Sequence, residues 1–185
     1  MSEDVFDNER EANSRTGFVW HERYMWHDTG TGSGTQPAGE LVEPGEHAES
    51  PASKRRLKNL VDATGTSDLL IDLPPRAATV EELLRVHTAE YLDEFARLSR
   101  ERGGLAGHNA PFGPGSFEIA RLSAGGCLAA VDAVFAGRVD NAYALVRPPG
   151  HHALADRGMG FCFLANVAVA ARYAHASRRC AGGRS

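Results

Sequence analysis

Two adjacent histidines, His151 and His152, are the residues of this sequence best suited to move protons near neutral pH. One imidazole can act as a general base while its neighbour acts as a general acid. Residues adjacent in sequence usually point to different sides of the chain, so both rings can line one pocket only if their loop curls round it. The preceding segment 147–150 (RPPG) supplies a stiff turn. The alternative is that the pair is solvated, or that one ring caps a helix.

The histidine pair lies between a predicted strand and a predicted helix. Tyr143–Val146 is a short apolar run that predicts a buried strand, and two prolines end it. A glycine-bounded loop follows the pair at 158–162 (GMGFC), and the alanine-rich run 166–174 predicts a helix packed closely on the sheet. Ionisable groups just beyond the carboxyl end of a strand lie where open α/β sheets have their active sites.

The segments RPPGHH (147–152) and GMGFC (158–162) together resemble the signature of the histone deacetylase superfamily. They are most similar to bacterial class II-like histone deacetylases and acetylpolyamine amidohydrolases. The stretches Trp26–Gly32 and Glu118–Gly126 agree, so the resemblance runs from about residue 17 to about residue 174. It implies an α/β fold of the arginase/deacetylase type, an open parallel sheet with helices on both faces, present here only as its N-terminal part.

The resemblance also implies a reaction and roles for four residues. The reaction is zinc-dependent hydrolysis of an acetyl amide, with acetyl-lysine or acetylpolyamine as the substrate. His152 would be the candidate to take the proton of the attacking water and return it to the amine, with His151 as its electrostatic or acid–base partner; the sequence leaves the division of these roles between the two rings open. The carbonyl of Gly160 would accept a hydrogen bond from the substrate amide, and Phe161 would form one wall of a narrow channel for a lysine-like alkyl chain.

The metal ligands of the family have no counterpart in this sequence. In the family an Asp-x-His pair, a further aspartate and a catalytic tyrosine follow the matching segment, and this chain contains no Asp-x-His. A zinc site needs about three protein ligands, so no residue here is assigned to metal. We expect the N-terminal portion of a longer zinc enzyme, inactive by itself. The alternative is a non-catalytic fragment that serves as a binding or assembly module.

Composition bounds the remaining possibilities. The 185 residues have room for one core, and 42% hydrophobic residues is a globular value. A net charge of −4 with no basic stripe excludes direct nucleic-acid binding from the expected functions. No run reaches membrane-spanning length, and the three cysteines show no ligand spacing, so we expect reduced thiols and a cytoplasmic location. An oligomer is left open.

The rest of the chain predicts a disordered leader, several further elements and a tail. The deacetylase-like part is expected at 16–174, after a leader at 1–15 and before a divergent or truncated tail at 175–185. Its further elements are strands at 16–20 and 68–73, a helix beginning at Ser50-Pro51, a helix capped by Thr79 that runs through Leu98, and a helix capped by Ser116 that ends at Gly137.

Several single residues carry expectations of their own. His27 is predicted on the surface or rim, whereas His87 lies on an apolar helix stripe and is predicted to be structural. Gly125-Gly126 inside a helix predicts close packing against the sheet. Related proteins often have His-Pro and an acidic residue where this chain has 50–52 (SPA), and two polar residues where it has 165–166 (AN).

Overall fold

The computed structural model describes residues 14–33 and 36–182, with side chains up to residue 177. The first thirteen residues of the predicted leader lie outside this range. Three parallel strands form the main sheet in the order β4-β1-β7: β1 is Thr16–Val19, β4 is Leu70–Asp72 and β7 is Asn141–Ala144. The predicted α/β class, with a parallel sheet and helices, is confirmed.

Strand β1 is central because it pairs with both neighbours and has an apolar residue on each face. Val19 is fully buried in a cluster with Leu73 and Val139, whereas Phe18 stacks on Tyr143 on the opposite face, with ring centroids 6.2 Å apart. The strand predicted at 143–146 begins two residues earlier. It is an edge strand of the described sheet, and Tyr143 is 53% exposed, so the prediction of a buried strand was wrong.

Strand β4 and the helix that precedes it in the chain differ from their predictions. The strand predicted at 68–73 begins only at Leu70, because the 3-10 helix Thr66–Leu69 follows a left-handed Gly65 (φ 71°). Helix α1, Ala52–Ala63, begins where Ser50-Pro51 predicted a start. It contains no fully buried residue, however: Leu57 and Val61 of the predicted apolar face are half-buried, and Leu60 is 58% exposed.

The helix predicted from Thr79 through Leu98 is two helices. α2 is Val80–Leu83, with the predicted capping box between Thr79 and Glu82. α3 is Ala89–Glu101, and it begins at its own cap, where the Thr88 hydroxyl accepts a hydrogen bond from the Tyr91 amide at 3.3 Å. The break between the two helices therefore follows from a second capping residue inside an uninterrupted apolar stripe.

Helix α4, Ser116–Phe135, packs on strands β1 and β7 and against helix α5, Asn166–Gly182. Gly115 in a left-handed conformation, and not Ser116, occupies the N-cap position. α5 continues eight residues past its predicted end at residue 174. Within the described residues, no helix is both long enough and apolar enough to cross a bilayer.

Two short antiparallel pairs shape the loops around the sheet. β2, Gly32–Ser33, pairs with β3, Gln36–Pro37, and β5, Gly104–Leu105, pairs with β6, Pro111–Phe112. The β5–β6 hairpin contributes Phe112 to the main aromatic core. At the centre of that core Phe95 meets Phe112 edge-on at 4.8 Å and stacks on Phe163 at 5.3 Å, so the hairpin, α3 and the segment before α5 share one cluster.

The close packing predicted for the glycine pair in α4 is confirmed at the atomic level. A Cβ at Gly125 would lie 1.8 Å from the carbonyl oxygen of Arg76. A Cβ at Gly126 would lie 2.6 Å from the Tyr24 hydroxyl oxygen and 3.1 Å from a methyl of Val19, which belongs to the sheet. Gly125 therefore faces the segment before α2, and it is Gly126 that faces β1.

We predict that Gly125→Ala destabilises the chain by about 1–3 kcal/mol, the usual cost of forcing extra volume into a packed interior. The backbone carbonyl of Arg76 cannot rotate away as a flexible side chain would. Gly39→Ala is the matched control, because a Cβ there meets nothing within 4 Å. Urea unfolding followed by circular dichroism measures both free energies, and equal values for the two variants would contradict the prediction.

Candidate active site

The loop beyond β7 brings the rings of His151 and His152 together. Their centroids lie 4.2 Å apart with the ring planes tilted by 55°. Both residues are exposed. The loop therefore curls so that two neighbouring side chains share one side of the chain, which is the arrangement that acid–base work by both rings requires. Three sets of contacts hold the loop in this shape.

The first contact is made by Arg147, whose side chain is completely buried. Its Nε donates to the two carboxylate oxygens of Glu49 at 3.0 and 2.9 Å. Its Nη1 donates to the carbonyl oxygens of Tyr24 at 3.2 Å and His27 at 2.7 Å. A buried guanidinium is tolerated only where its donors find acceptors. Arg147 thereby ties the start of the histidine loop to two distant segments.

The second contact is made by the carbonyl oxygen of Pro148. It accepts hydrogen bonds from the Ser123 hydroxyl at 2.8 Å and from the Asn166 side-chain amide at 3.3 Å. The next turn is closed by Gly150, where a Cβ would lie 2.4 Å from the Leu164 carbonyl oxygen. The single polar residue kept at 165–166 is therefore the one that holds the loop.

The third contact is made by His87 at the far end of the loop. Its Nδ1 bonds to the carbonyl oxygen of Ala155 at 3.2 Å, and its Nε2 accepts from the amide of Ala165 at 3.0 Å. This pair of bonds specifies a neutral ring with its proton on Nδ1. Burial lowers the pKa of His87, which keeps it neutral. The structural position predicted for His87 is confirmed.

The Gly160–Phe161 turn lies directly against the histidine pair. A Cβ at Gly160 would lie 2.9 Å from Cδ2 of His152. Gly160 and Phe161 both have positive φ, 53° and 66°. Their amides donate to the carbonyl oxygens of His108 at 2.9 Å and Asn109 at 2.7 Å, which holds this strained turn in place. The structure thus brings together the four residues predicted for the site, while their individual roles stay predictions.

Neither described cysteine has the environment of a nucleophile. Cys162 is fully buried behind the turn, and burial raises the pKa of its thiol against the opposing effect of hydrogen bonds from the backbone amides of His152 and His151. Burial also raises the pKa of Cys127 to about 11. Both thiols are therefore protonated near neutral pH, as expected for small core residues.

His27, which the sequence predicts on the surface or rim, is only 3% exposed. Its Nδ1 is hydrogen-bonded to the Ser116 hydroxyl at 2.9 Å, and its ring meets Phe163 edge-on at 4.9 Å. Among the described residues its Nε2 has no hydrogen-bond partner. Burial, and then the charge of Arg147, lower the pKa of His27 to about 3. The surface prediction was wrong because the Trp26–Gly32 loop folds inward under the histidine loop.

Sequence reasoning also missed His47 and Glu49. Both are buried, and the Glu49 amide donates to Nδ1 of His47 at 3.0 Å. The His47 ring lies edge-on against Phe161 at 4.9 Å. A usable signal was present, because 47–49 (HAE) has the histidine-then-acid spacing that was sought at 50–52. An alanine in place of the expected proline concealed it.

The described residues do not fit a zinc site. In residues 14–33 and 36–182 no group of three histidine, cysteine, aspartate or glutamate side chains could hold a metal ion. Two exposed imidazoles are fewer than the three or so ligands that catalytic zinc takes from a protein. What these residues can supply is proton transfer and an aromatic surface.

Comparisons with known proteins agree with the sequence resemblance. A sequence model of the family described as "Histone deacetylase domain" matches residues 47–181. A "Histone deacetylase-like amidohydrolase" from Pseudomonas aeruginosa is 54% identical over 166 residues, which cover 88% of this chain and 43% of that protein. A "Probable deacetylase" from Archaeoglobus fulgidus is 34% identical over 85% of this chain and 40% of that protein.

The fold comparison points the same way. The crystal structure of the HDA15 HD domain superposes with a TM-score of 0.76 at 33% identity, covering 89% of this chain and 44% of that one. The open parallel sheet with its helices is therefore part of an arginase/deacetylase-like α/β fold. The chain spans less than half the length of the relatives it matches.

We predict that Glu49→Gln costs about 3–5 kcal/mol of unfolding free energy, because it leaves the buried Arg147 without its counter-charge. Glu22→Gln is the control. Glu22 also pairs with an arginine, Arg55, but both side chains are about half exposed, so its loss is expected to cost about 1 kcal/mol or less. Urea unfolding measures the free energy of unfolding of the two variants. Comparable losses in both would contradict the larger contribution predicted for the buried pair.

The low pKa of His27 predicts a specific acid instability. The unfolded chain binds this proton below pH 6.5, the ordinary histidine value, whereas the folded chain does not until about pH 3. Stability is therefore unaffected above pH 6.5 and falls as the pH drops towards 3, by up to about 1.4 kcal/mol per pH unit from this group.

A His27→Gln variant is expected to show a shallower loss of stability between pH 6.5 and pH 4 than the native sequence. His21→Gln is the control, because His21 is only half-buried and lies on the outer side of the same segment. Urea midpoints measured at half-unit pH steps give the slopes. An unchanged slope in His27→Gln would show that the buried ring is protonated in the folded chain.

Proposed function

Because the chain belongs to the histone deacetylase family, we propose that it supplies the acid–base loop and one channel wall of a zinc-dependent deacetylase. The reaction is hydrolysis of the acetyl amide of acetyl-lysine or of an acetylpolyamine. The observation that carries the proposal is the pairing of the His151 and His152 rings, 4.2 Å apart, beside the Gly160–Phe161 turn. A histidine pair without a functional role would need neither the buried anchors of its loop nor this strained turn.

His152 is the base in this proposal, because its ring lies against Gly160, where the substrate amide would be held. It takes a proton from the attacking water and later protonates the leaving amine. His151 is its partner. At this distance one ring can accept a proton while the other donates one.

Substrate positioning falls to the turn. The Gly160 carbonyl accepts a hydrogen bond from the substrate amide, and the Phe161 ring packs against the alkyl chain. The support for these roles is rigidity: both amides of the turn are hydrogen-bonded to the 108–109 backbone, and the Phe161 ring rests edge-on against buried His47. A wall that does not move on binding loses little entropy when the substrate arrives.

Zinc is the cofactor of the proposed enzyme, and it would polarise the acetyl carbonyl and activate the water. No group of three candidate ligands lies among the described residues, so the proposal assigns no zinc ligand within residues 14–33 and 36–182. The same observation favours a second candidate, a non-catalytic fragment that keeps the histidine loop for binding or assembly. Calorimetric zinc titration and a fluorogenic acetyl-lysine assay on the purified 185-residue chain separate the two. One-to-one zinc binding with turnover supports the enzyme for this chain itself.

Location and partners belong to the same proposal. Two free cysteines, both protonated, are consistent with a reducing cytoplasm. The acidic balance of the chain, 24 acidic against 20 basic residues, gives no support for direct nucleic-acid binding. Cell fractionation followed by immunoblotting tests the location.

A chimera provides the sharpest functional test. Residues 14–182 of this chain would replace the aligned segment of the Pseudomonas relative, which is 54% identical to it. We predict that the chimera turns over an acetyl-lysine substrate and that His152→Ala lowers its kcat by about 10²–10⁴, the usual worth of a positioned acid–base group. His175→Ala on helix α5 is the control. A folded chimera whose His152→Ala variant keeps more than a tenth of its turnover would contradict the role.

A further inference from the structure

A groove with a volume of about 520 Å³ lies between helix α5 and the segment that joins α2 to α3. It shares no lining residue with the histidine loop or with the Gly160–Phe161 turn. The residues that line it include Arg85 and Val86 on one wall and, on the other, Ala168, Ala171 and Arg172. The three residues of α5 lie three and four positions apart, which is the spacing of one helix face. The two walls therefore come from separate elements, and each carries a guanidinium.

The groove has positive charge that no ion pair takes up. Neither Arg85 nor Arg172 forms an ion pair with a described residue, and no described residue that lines the groove is acidic. Glu82 lies near Arg85, but its two carboxylate oxygens already accept from Arg76 at 2.7 and 2.8 Å. These bonds, and to a smaller extent the charge of Arg85, lower the pKa of Glu82. The two groove arginines therefore retain N–H donors for an anionic ligand.

The Arg85 side chain is oriented by the ring of Tyr173. The guanidinium carbon lies 5.7 Å from the centre of that ring, which is within the range of a cation–π contact. The ring is itself held in place, because its hydroxyl donates to the carboxylate of Asp132 on α4 at 2.6 Å. A guanidinium already held against a ring loses less freedom when it binds a ligand. Arg85 is therefore a preorganised donor.

The two walls are joined to each other by the residue after Val86. This residue, His87, accepts a hydrogen bond at Nε2 from the amide of Ala165, which directly precedes α5. On the α5 wall, Ala168 and Ala171 are exposed and present only methyl groups. Their small side chains leave space between the walls, and a ligand with a short apolar body would bury these methyls and part of Val86.

We propose that this groove binds a small organic phosphate, with the phosphate group between Arg85 and Arg172 and the apolar body on the face of α5. A phosphate monoester has three terminal oxygens and a charge of about −1.5 to −2 near neutral pH, so it can accept from two guanidinium groups at once. A carboxylate has two oxygens and one charge, and a single guanidinium satisfies it. The inference concerns a face of α5 outside the histidine loop and does not depend on the proposed function.

The first experiment is binding to the complete 185-residue chain. Phenyl phosphate, benzoate, inorganic phosphate and benzyl alcohol are titrated separately into ¹⁵N-labelled protein at constant ionic strength. We expect the amide signals of Val86, Ala168 and Ala171 to shift with phenyl phosphate at about tenfold lower concentration than with benzoate or inorganic phosphate, and not to shift with benzyl alcohol. Equal shifts with benzoate or with inorganic phosphate, or no shift with any of them, would overturn the inference.

The second experiment removes one of the two charges. Arg172→Gln changes an exposed side chain, so we expect the fold to tolerate it and the Kd of phenyl phosphate to rise at least about tenfold. Arg56→Gln is the matched control, because Arg56 is an exposed arginine of α1 that also forms no ion pair with a described residue. Its Kd should stay unchanged. Comparable increases in both variants would show that the ligand responds to net charge alone, which contradicts a site in the groove.

The third experiment fills the groove without changing its charge. Ala171→Leu places three more carbons on the exposed face of α5. We expect the Kd of phenyl phosphate to rise about tenfold while that of inorganic phosphate stays the same, because only the apolar body is displaced. Ala63→Leu, at an exposed alanine of α1, is the control. If a folded Ala171→Leu variant binds phenyl phosphate as well as the native sequence does, the ligand lies elsewhere and the inference fails.

Discussion

The buried ion pair between Arg147 and Glu49 is the constraint around which this end of the sheet is built. A guanidinium cannot lose its proton under ordinary conditions, so its burial obliges the fold to surround it with acceptors. Glu49 and the carbonyl oxygens of Tyr24 and His27 meet that demand. They come from segments about 98 to 123 residues away in sequence. The Arg147 side chain therefore links three separate segments of the chain. The histidine pair begins four residues after it.

On the other side of the histidine pair, the chain is held by backbone hydrogen bonds and not by an ion pair. The left-handed turn at Gly160 and Phe161 is costly for a phenylalanine. Its two amides donate hydrogen bonds to the carbonyl oxygens of His108 and Asn109, and the Phe161 ring contacts His47. Neutral His87 joins the loop at Ala155 to the segment at Ala165, so the two sides cannot separate. The Arg147–Glu49 ion pair thus holds the histidine loop on one side, and neutral hydrogen bonds hold it on the other.

The sequence predicted correctly those features that depend on residues close together in the chain. The capping box at Thr79, the glycine pair in α4 and the RPPGHH loop are each specified by residues a few positions apart, and each was found in the structure. The failures share another cause. The pairing of Arg147 with Glu49 and the burial of His27 depend on contacts across most of the chain, which the local sequence does not encode even where it marks Glu49 as a candidate. The break at Thr88 was missed because an apolar stripe continues through a residue that can also cap a helix.

Burial separates two pairs of histidines in this chain. His27 and His87 are desolvated, have lowered pKa values and hold neighbouring backbone or side chains, so they remain neutral where a proton carrier would have to change charge. His151 and His152 are exposed, and their ring centroids lie 4.2 Å apart. A group that exchanges protons with water and substrate must be reached by both. The fold therefore buries its structural imidazoles and leaves the proposed catalytic pair exposed to solvent. Proton transfer with water and substrate requires that exposure.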